Sequence, residues 1–343
     1  MPKPGSRLRL VDVAEAAGVS LATASRSLTG RDGVSEEVAS RVRQVAASLG
    51  YVVNPYARTL AGGASSSVGL VVHQVDDPYF SEIAGGVIQV AGERGLMVQI
   101  CHSGRDPDYE LRQIRHLIAQ RVGVIIIAGS GYDDPRTEAS TKAELTAFQS
   151  LGGRVAVIGR HALGVDAVLP DNEAGGFALG AHLLSLGHRR LAVAAGTGAL
   201  TTVTDRMAGV LRSLRSLGLD PSSLPVVHTD FTREGGCRAT EQILRDHPET
   251  TAIIALNDAM AMGVLSVLRG LKISVPKKMS VVGFDDVSVA ADLAPSLTTV
   301  RLPMTDMGRM ALELALKPPS TRARRRSTGH TLVVRDSTGP PRR

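Results

Sequence analysis

Apolar positions along the chain follow two rhythms. Over the first 50 residues they recur at helical spacing, with no strand pattern. Asp12 to Gly18 reads as a short helix closed by a glycine suited to the left-handed conformation. Ser20 can cap a second helix, Leu21 to Leu28. Ser35 starts a third, with Glu36 and Glu37 in its first turn. There Val38, Val42, Val45, Ala46 and Leu49 share one face before Gly50 ends it. Asn54-Pro55 offers an N-cap and a first-turn proline for a fourth helix, which runs out into Gly/Ser composition. At about two turns it is too short to hold alone in water.

From Val68 the rhythm changes. Short, nearly continuous apolar runs alternate with amphipathic stretches: Val68–Val75, Val98–Cys101, Val122–Ala128, Val155–Gly159, Leu191–Ala195, Val226–Thr229, Thr251–Leu256 and Ser280–Asp285. Repeated βα units of this kind predict parallel sheets covered on both faces, closing as a barrel or splitting into two lobes. The last part adds Leu297–Leu302, a helix over Met304–Leu316 and a strand over Thr331–Arg335.

Composition narrows the class. With 343 residues, 43% hydrophobic and 21% charged, the chain can bury a core in two or three units. No apolar run approaches the roughly 20 residues that span a bilayer, and no apolar segment follows the basic N-terminus. No signal peptide and no membrane partner are therefore expected, and the location is read as cytoplasmic. Cys101 and Cys237 stand far apart, which excludes a disulfide scaffold or a Cys-rich zinc site. The net charge of +6 permits nucleic-acid binding. Its distribution is uneven. Residues 1–62 carry 8 Lys/Arg against 5 Asp/Glu, residues 63–316 carry 23 against 27, and residues 317–343 carry 8 against 1.

The first two helices with a Gly-Val-Ser turn have the layout of a helix-turn-helix. Ala14 stays small where the helices cross, Gly18 turns the chain, and Val13, Ala17 and Val19 supply the packing face. The second helix then presents Leu21, Ala22 and Arg26 outward. Val11-Asp-Val-Ala-Glu-Ala-Ala-Gly-Val-Ser-Leu-Ala-Thr-Ala-Ser-Arg26, Val34-Ser-Glu-Glu37, Leu49-Gly-Tyr51 and Asn54-Pro55 resemble the headpiece of the LacI/GalR family of bacterial transcription regulators. Matching core segments follow in order: Asp77-Pro-Tyr-Phe80, Asp171-Asn172, Leu186-Gly-His-Arg189, Asn257-Asp258, Val281-Val-Gly-Phe-Asp-Asp286, Pro295-Ser-Leu-Thr-Thr299 and Leu332-Val-Val-Arg-Asp-Ser-Thr338. The chain departs from the family in holding the small Ala24 and Ser27 at core positions of the second helix, and in lacking tryptophan.

The resemblance implies a small all-α helix-turn-helix headpiece plus an α/β two-lobed core like that of periplasmic binding proteins. The headpiece is placed at 7–53, a hinge helix and linker at 54–67, and an effector-binding, dimerising core at 68–338. Its first lobe is taken as about 68–168 plus 300–320, its second as about 169–299 plus 321–338. Leu21, Ala22 and Arg26 are the expected base-reading residues. Arg26 can bond guanine in bidentate fashion, whereas the other two can only touch a thymine methyl. Ser20, Thr23, Ser25, Tyr51 and Asn54 are the phosphate candidates. Ala57 and Leu60 fall on the hinge, where Leu60 matches the leucine that wedges into the minor groove. His73, Tyr79, Phe80, Arg206, Phe231, Asn257 and Asp285 are expected to line an effector cleft. Asp258 is expected to cap the helix after Asn257, and Asp285 and Asp286 are paired acids at a strand end.

No cofactor or metal is called for. There is no phosphate-binding GxxxxGK[ST], no HExxH or GxSxG, and Gly196-Thr-Gly198 lacks the third glycine of a dinucleotide fingerprint. The implied function is a non-enzymatic, homodimeric regulator of double-stranded operator DNA. It would be a repressor of sugar-utilisation genes released by a small sugar-like effector; the alternative is a co-repressor-dependent regulator or one responding to a non-sugar ligand. The helix over Ser81–Gly92 is expected to supply the dimer face. No heptads follow Thr338, so no tetramerising coiled coil is expected. The arginines Arg322, Arg324, Arg325 and Arg326 are expected in a solvated loop.

Overall fold

The computed structural model describes residues 8–29, 32–51 and 67–341. The first two segments hold three helices, α1 (Leu10–Ala17), α2 (Leu21–Thr29) and α3 (Glu36–Leu49). Gly18 closes α1 at φ +66°, with its N–H and that of Val19 returning to Glu15 and Ala14 carbonyls. The Ser20 hydroxyl accepts from the Thr23 N–H at 3.1 Å, and Ser35 accepts from Val38. Val13, Ala14, Ala17, Ala24, Val42 and Ala46 make the small core. Ser27, also buried, satisfies its hydroxyl on the Thr23 carbonyl at 2.8 Å, so the polar residue in that core costs little. Asn54, Ala57 and Leu60 lie outside the described residues.

The larger unit begins at Ser67. Its strands are β1 (Ser67–Val72), β2 (Met97–His102), β3 (Val124–Ala128), β4 (Arg154–Ile158), β5 (Asp166–Leu169), β6 (Leu191–Ala195), β7 (Val226–His228), β8 (Ala252–Ala255), β9 (Ser280–Val282), β10 (Thr299–Arg301), β11 (Arg325–Ser327) and β12 (Thr331–Val333). Two parallel sheets form, β11-β5-β4-β3-β1-β2 and β7-β6-β8-β9, with an antiparallel ribbon β10-β12. Two lobes, not a barrel, are the outcome. Every residue of β3 and β6 is buried, as expected of central strands covered on both faces.

The helices of this unit are α4 (Pro78–Glu93), α5 (Pro107–Ala119), α6 (Ala139–Ser150), α7 (Asn172–Ser185), α8 (Thr201–Ser216), α9 (Arg233–Asp246), α10 (Asp258–Gly270) and α11 (Met304–Ala315). α7 and α8 approach so closely that a Cβ on Gly176 would fall on the Arg206 carbonyl and one on Gly209 on that of Glu173. This contact carries Arg206 into the interior.

One expectation about the lobes fails. Residues 321–338 are divided, not assigned whole to the second lobe, because β11 pairs with β5 at the edge of the first sheet. Arg324 secures that pairing, its backbone N–H donating to Asp166 Oδ1 at 2.7 Å and its guanidinium lying 2.9 Å from Oδ2. Thr299–Arg301, in turn, pairs with β12 and belongs with the second lobe. The arginine cluster is therefore split: Arg325 and Arg326 lie in an exposed edge strand, while Arg322 is exposed and Arg324 half-buried in the irregular segment before it. Among the described residues no helix is long and apolar enough to cross a membrane.

Candidate functional site

Helix α2 sorts its residues by face. Ala24 and Ser27 point into the three-helix core, while Leu21 (52% exposed), Ala22 and Arg26 face outward. A leucine left so exposed cannot be packing in that core. Arg26 forms no ion pair among the described residues, so its five N–H donors are uncommitted. Thr23 and Ser25 are half-buried. Tyr51 packs against the core, and Ser20 is already engaged in capping.

The second site is a cleft in the larger unit, with about 380 Å³ of empty space that includes solvent at its mouth. Seven strands end at its wall. His73 follows β1, Arg105 follows β2, Ser130 follows β3, Leu200 and Thr202 follow β6, Phe231 follows β7, Asn257 follows β8 and Asp285 follows β9. This is where open parallel sheets place ligand groups. All seven residues expected from the sequence line the cavity together, although the pairing roles of some differ from expectation.

Arg206 and Asp285 are its buried charges. Arg206 Nη2 donates to Asp285 Oδ1 at 2.7 Å, Nε to Asn172 Oδ1 at 3.0 Å and Nη1 to the Leu256 carbonyl at 2.5 Å. Its guanidinium also lies 3.7 Å from the Phe284 ring centre. Burial pushes the Asp285 carboxyl up to about 7, with Arg206 opposing the rise. Asp285 Oδ2 and two Arg206 N–H groups remain to meet a ligand. Asp286, the expected partner acid, instead holds Arg301 Nε and Arg335 Nη1, each at 2.6 Å. It braces the β10–β12 ribbon and does not line the cavity.

His73 brings no free polar atom. Nε2 lies 3.0 Å from the Ser130 carbonyl and Nδ1 3.0 Å from Ser103 Oγ. The carbonyl requires a proton on Nε2, and burial drives the ring's pKa down to about 3, so the ring is neutral and Nδ1 accepts from the Ser103 hydroxyl. It offers the ligand a ring surface, set edge-on to Phe80 at 5.9 Å. Tyr79 packs on Phe80 in the same manner, and burial disfavours its ionised form. Asn257, not Asp258, caps α10 by accepting from the Met260 N–H at 2.8 Å. Asp258 is wholly buried, accepting from Thr299 Oγ1 at 2.7 Å and the Val287 N–H at 3.0 Å.

Sequence reasoning passed over Asp77, Arg105, Ser130, Leu200 and Thr202. Asp77 stands beside two residues that it did select. The others could have been found by asking which residue follows each strand. No group of three or more His, Cys, Asp or Glu among the described residues is placed to hold a metal ion.

The family model described as bacterial regulatory proteins, lacI family, matches residues 9–54, and the one described as a periplasmic binding protein-like domain matches residues 181–338. The chain is 30% identical over 341 residues to the HTH-type transcriptional regulator DegA of Bacillus subtilis (strain 168), covering 96% of this chain and 98% of DegA. It is similar to the structure of a transcriptional regulator CelR–cellobiose complex, at 29% identity and a TM-score of 0.70, over 96% of this chain and 100% of that one. It is also similar to the lac repressor dimer bound to operator and the anti-inducer ONPF, at 25% identity and a TM-score of 0.83, over 97% and 100%. Similarity that runs from the helix-turn-helix to the final ribbon settles the family: this chain belongs to the LacI/GalR family of DNA-binding transcriptional regulators, which are not enzymes.

Proposed function

We propose that this regulator is a cytoplasmic, homodimeric repressor of sugar-utilisation genes, released from a palindromic operator by a sugar-like effector. The observation that carries the reading is the cavity. It is walled from both lobes, floored by apolar ring surfaces and supplied with the hydroxyl-pairing atoms Asp285 Oδ2 and Arg206 N–H. A sugar presents that mixture of apolar faces and hydroxyls. The relative solved with cellobiose supports the ligand class, and the lac repressor dimer on its operator supports the assembly.

Leu21, Ala22 and Arg26 read bases, and Ser20, Thr23, Ser25, Tyr51 and Asn54 position the module on phosphates. Ala57 and Leu60 enter the minor groove. The dimer forms through α4 and the edge strand β2, where Ile88, Met97 and Ile100 expose apolar side chains on adjoining elements. A ligand contacting both lobes favours the closed core. Closure shifts this interface and separates the hinges, a coupling between two sites through one two-state element.

The test is a gel-shift titration of the full chain on the promoter of its own gene, repeated with a panel of sugars. A sequence-specific shift reversed by one sugar is expected. No specific shift would refute the DNA reading, and a shift strengthened by ligand would make the protein co-repressor-dependent.

A further inference from the structure

We infer that Arg105 receives an anionic group on the effector, so that the ligand is an acidic sugar derivative, a sugar phosphate or a sugar acid, and not a neutral sugar. This rests on the reading of the cavity as the effector site.

The argument is one of commitments. Four ionisable side chains line the cavity: Asp77, Arg105, Arg206 and Asp285. Arg206 and Asp285 are paired with each other at 2.7 Å. Asp77 is spent at the start of α4, where its Oδ1 accepts the Tyr79 N–H at 3.0 Å and its charge meets the positive end of the helix. Arg105 is left. Its guanidinium makes one hydrogen bond, from Nη1 to Gln74 Oε1 at 2.6 Å, and has no carboxylate within 4 Å among the described residues. Asp76, Asp77 and Asp230 act on it only from farther away, and Asp230 is paired with Arg238. Four of its five N–H donors are therefore free.

Such a cation is costly to bury, and burial does press its pKa downward. An anion arriving in the cavity offsets that cost, whereas a hydroxyl does so only weakly. The planar fork of arginine fits carboxylate and phosphate in a bidentate manner.

Position agrees with this role. The Arg105 backbone is held at φ +62° by the Tyr132 hydroxyl, which donates to its carbonyl at 3.0 Å. The Gly104 N–H, bonded to the His73 carbonyl at 2.9 Å, fixes the preceding residue. From this first-lobe loop the guanidinium lies 5.8 Å from the ring centre of Phe231, which belongs to the second lobe. An effector with its anion on Arg105 and its hydroxyls on Asp285 and Arg206 would thus bridge the cleft. A neutral sugar would engage one side and leave Arg105 uncompensated.

Calorimetric titration of the full chain tests this. The ligands are glucose, galactose and fructose, the 6-phosphates of glucose and fructose, and gluconate, glucuronate and galacturonate. Binding is expected in the phosphate arm or the acid arm, which separates the two sources of charge. Arg105→Met is expected to weaken that ligand at least about 30-fold, with Arg105→Lys recovering part of the loss. An unchanged melting temperature of the Met variant establishes that it folds. Binding of a neutral sugar with none of its acidic counterparts would overturn the inference and leave the sugar-repressor reading standing. So would an anion affinity within about threefold of wild type in Arg105→Met. If none of the panel binds while operator binding persists, the sugar reading itself fails, and this inference with it.

Discussion

Glu110 offers a test of the electrostatics behind the cavity. It lies in the first turn of α5 at 2% exposure, and its Oε2 has no hydrogen-bond partner. Burial carries its pKa from 4.5 up to about 7, with Glu138 adding to the rise while His161 and Ser103 oppose it. That difference corresponds to roughly 3 kcal/mol between the charged and neutral forms. The folded value lies above the unfolded one, so the folded state holds the proton more tightly. The stability contribution is fully present below about pH 4.5 and is lost as pH rises through 7. Glu110→Gln removes the charge and keeps the shape. At pH 5 it is expected to change little. At pH 8.5 it is expected to stabilise the core by about 3 kcal/mol, a rise of roughly 6 °C in its melting temperature.

Differential scanning calorimetry of both proteins from pH 5 to 8.5 measures this directly. A difference in melting temperature that stays constant with pH, or that favours wild type at pH 8.5, would refute the reasoning. The neighbouring carboxylate supplies a contrast. Glu138 accepts from the Ala162 N–H at 2.6 Å and lies 2.6 Å from His161 Nδ1, so both of its oxygens are engaged. Glu138→Gln is expected to destabilise by about 1–3 kcal/mol across the range.

Three further outcomes concern DNA. Arg26→Ala is expected to relax discrimination at one G·C position per half-site by about 1–3 kcal/mol, measured by gel shift on operator variants; an equal loss on every sequence would make Arg26 a phosphate contact. Leu60→Ala is expected to lower operator affinity while leaving effector affinity, measured by calorimetry, unchanged; unaffected operator binding would remove Leu60 from the hinge. Replacing Arg322, Arg325 and Arg326 with glutamine is expected to leave the slope of log affinity against log salt unchanged, whereas a slope reduced by about one per arginine would place them on DNA.

What was legible in the sequence depended on how local the determining physics is. The helix-turn-helix layout puts Leu21, Ala22 and Arg26 outward and the family resemblance puts Ala24 and Ser27 in the core, and the structure divides them on the same faces. Continuous apolar runs mark β3 and β6 because a strand covered on both faces needs apolar residues throughout. Strand β11, Arg325-Arg-Ser327, has no apolar residue. It is a strand only because β5 offers it an edge and Asp166 holds Arg324, some 158 positions away in sequence. No pattern within the segment records that, so its lobe was misread.

The cavity follows the same division. The family resemblance picked out seven residues and all seven meet there, four just past strands (His73, Phe231, Asn257, Asp285) and three on helices α4 and α8 (Tyr79, Phe80, Arg206). Which of their polar atoms are still free it did not indicate. His73 is emptied of donors by Ser130, 57 residues away, and Arg206 is occupied by Asp285, 79 away. Among the described residues, the Arg105 guanidinium is left with one hydrogen bond, to Gln74. Ligand chemistry is set by what those long-range partners leave over. The charge relevant to the effector is thus the one held by a single arginine facing Phe231, and neither the net charge of +6 nor its excess at the two ends could have indicated it.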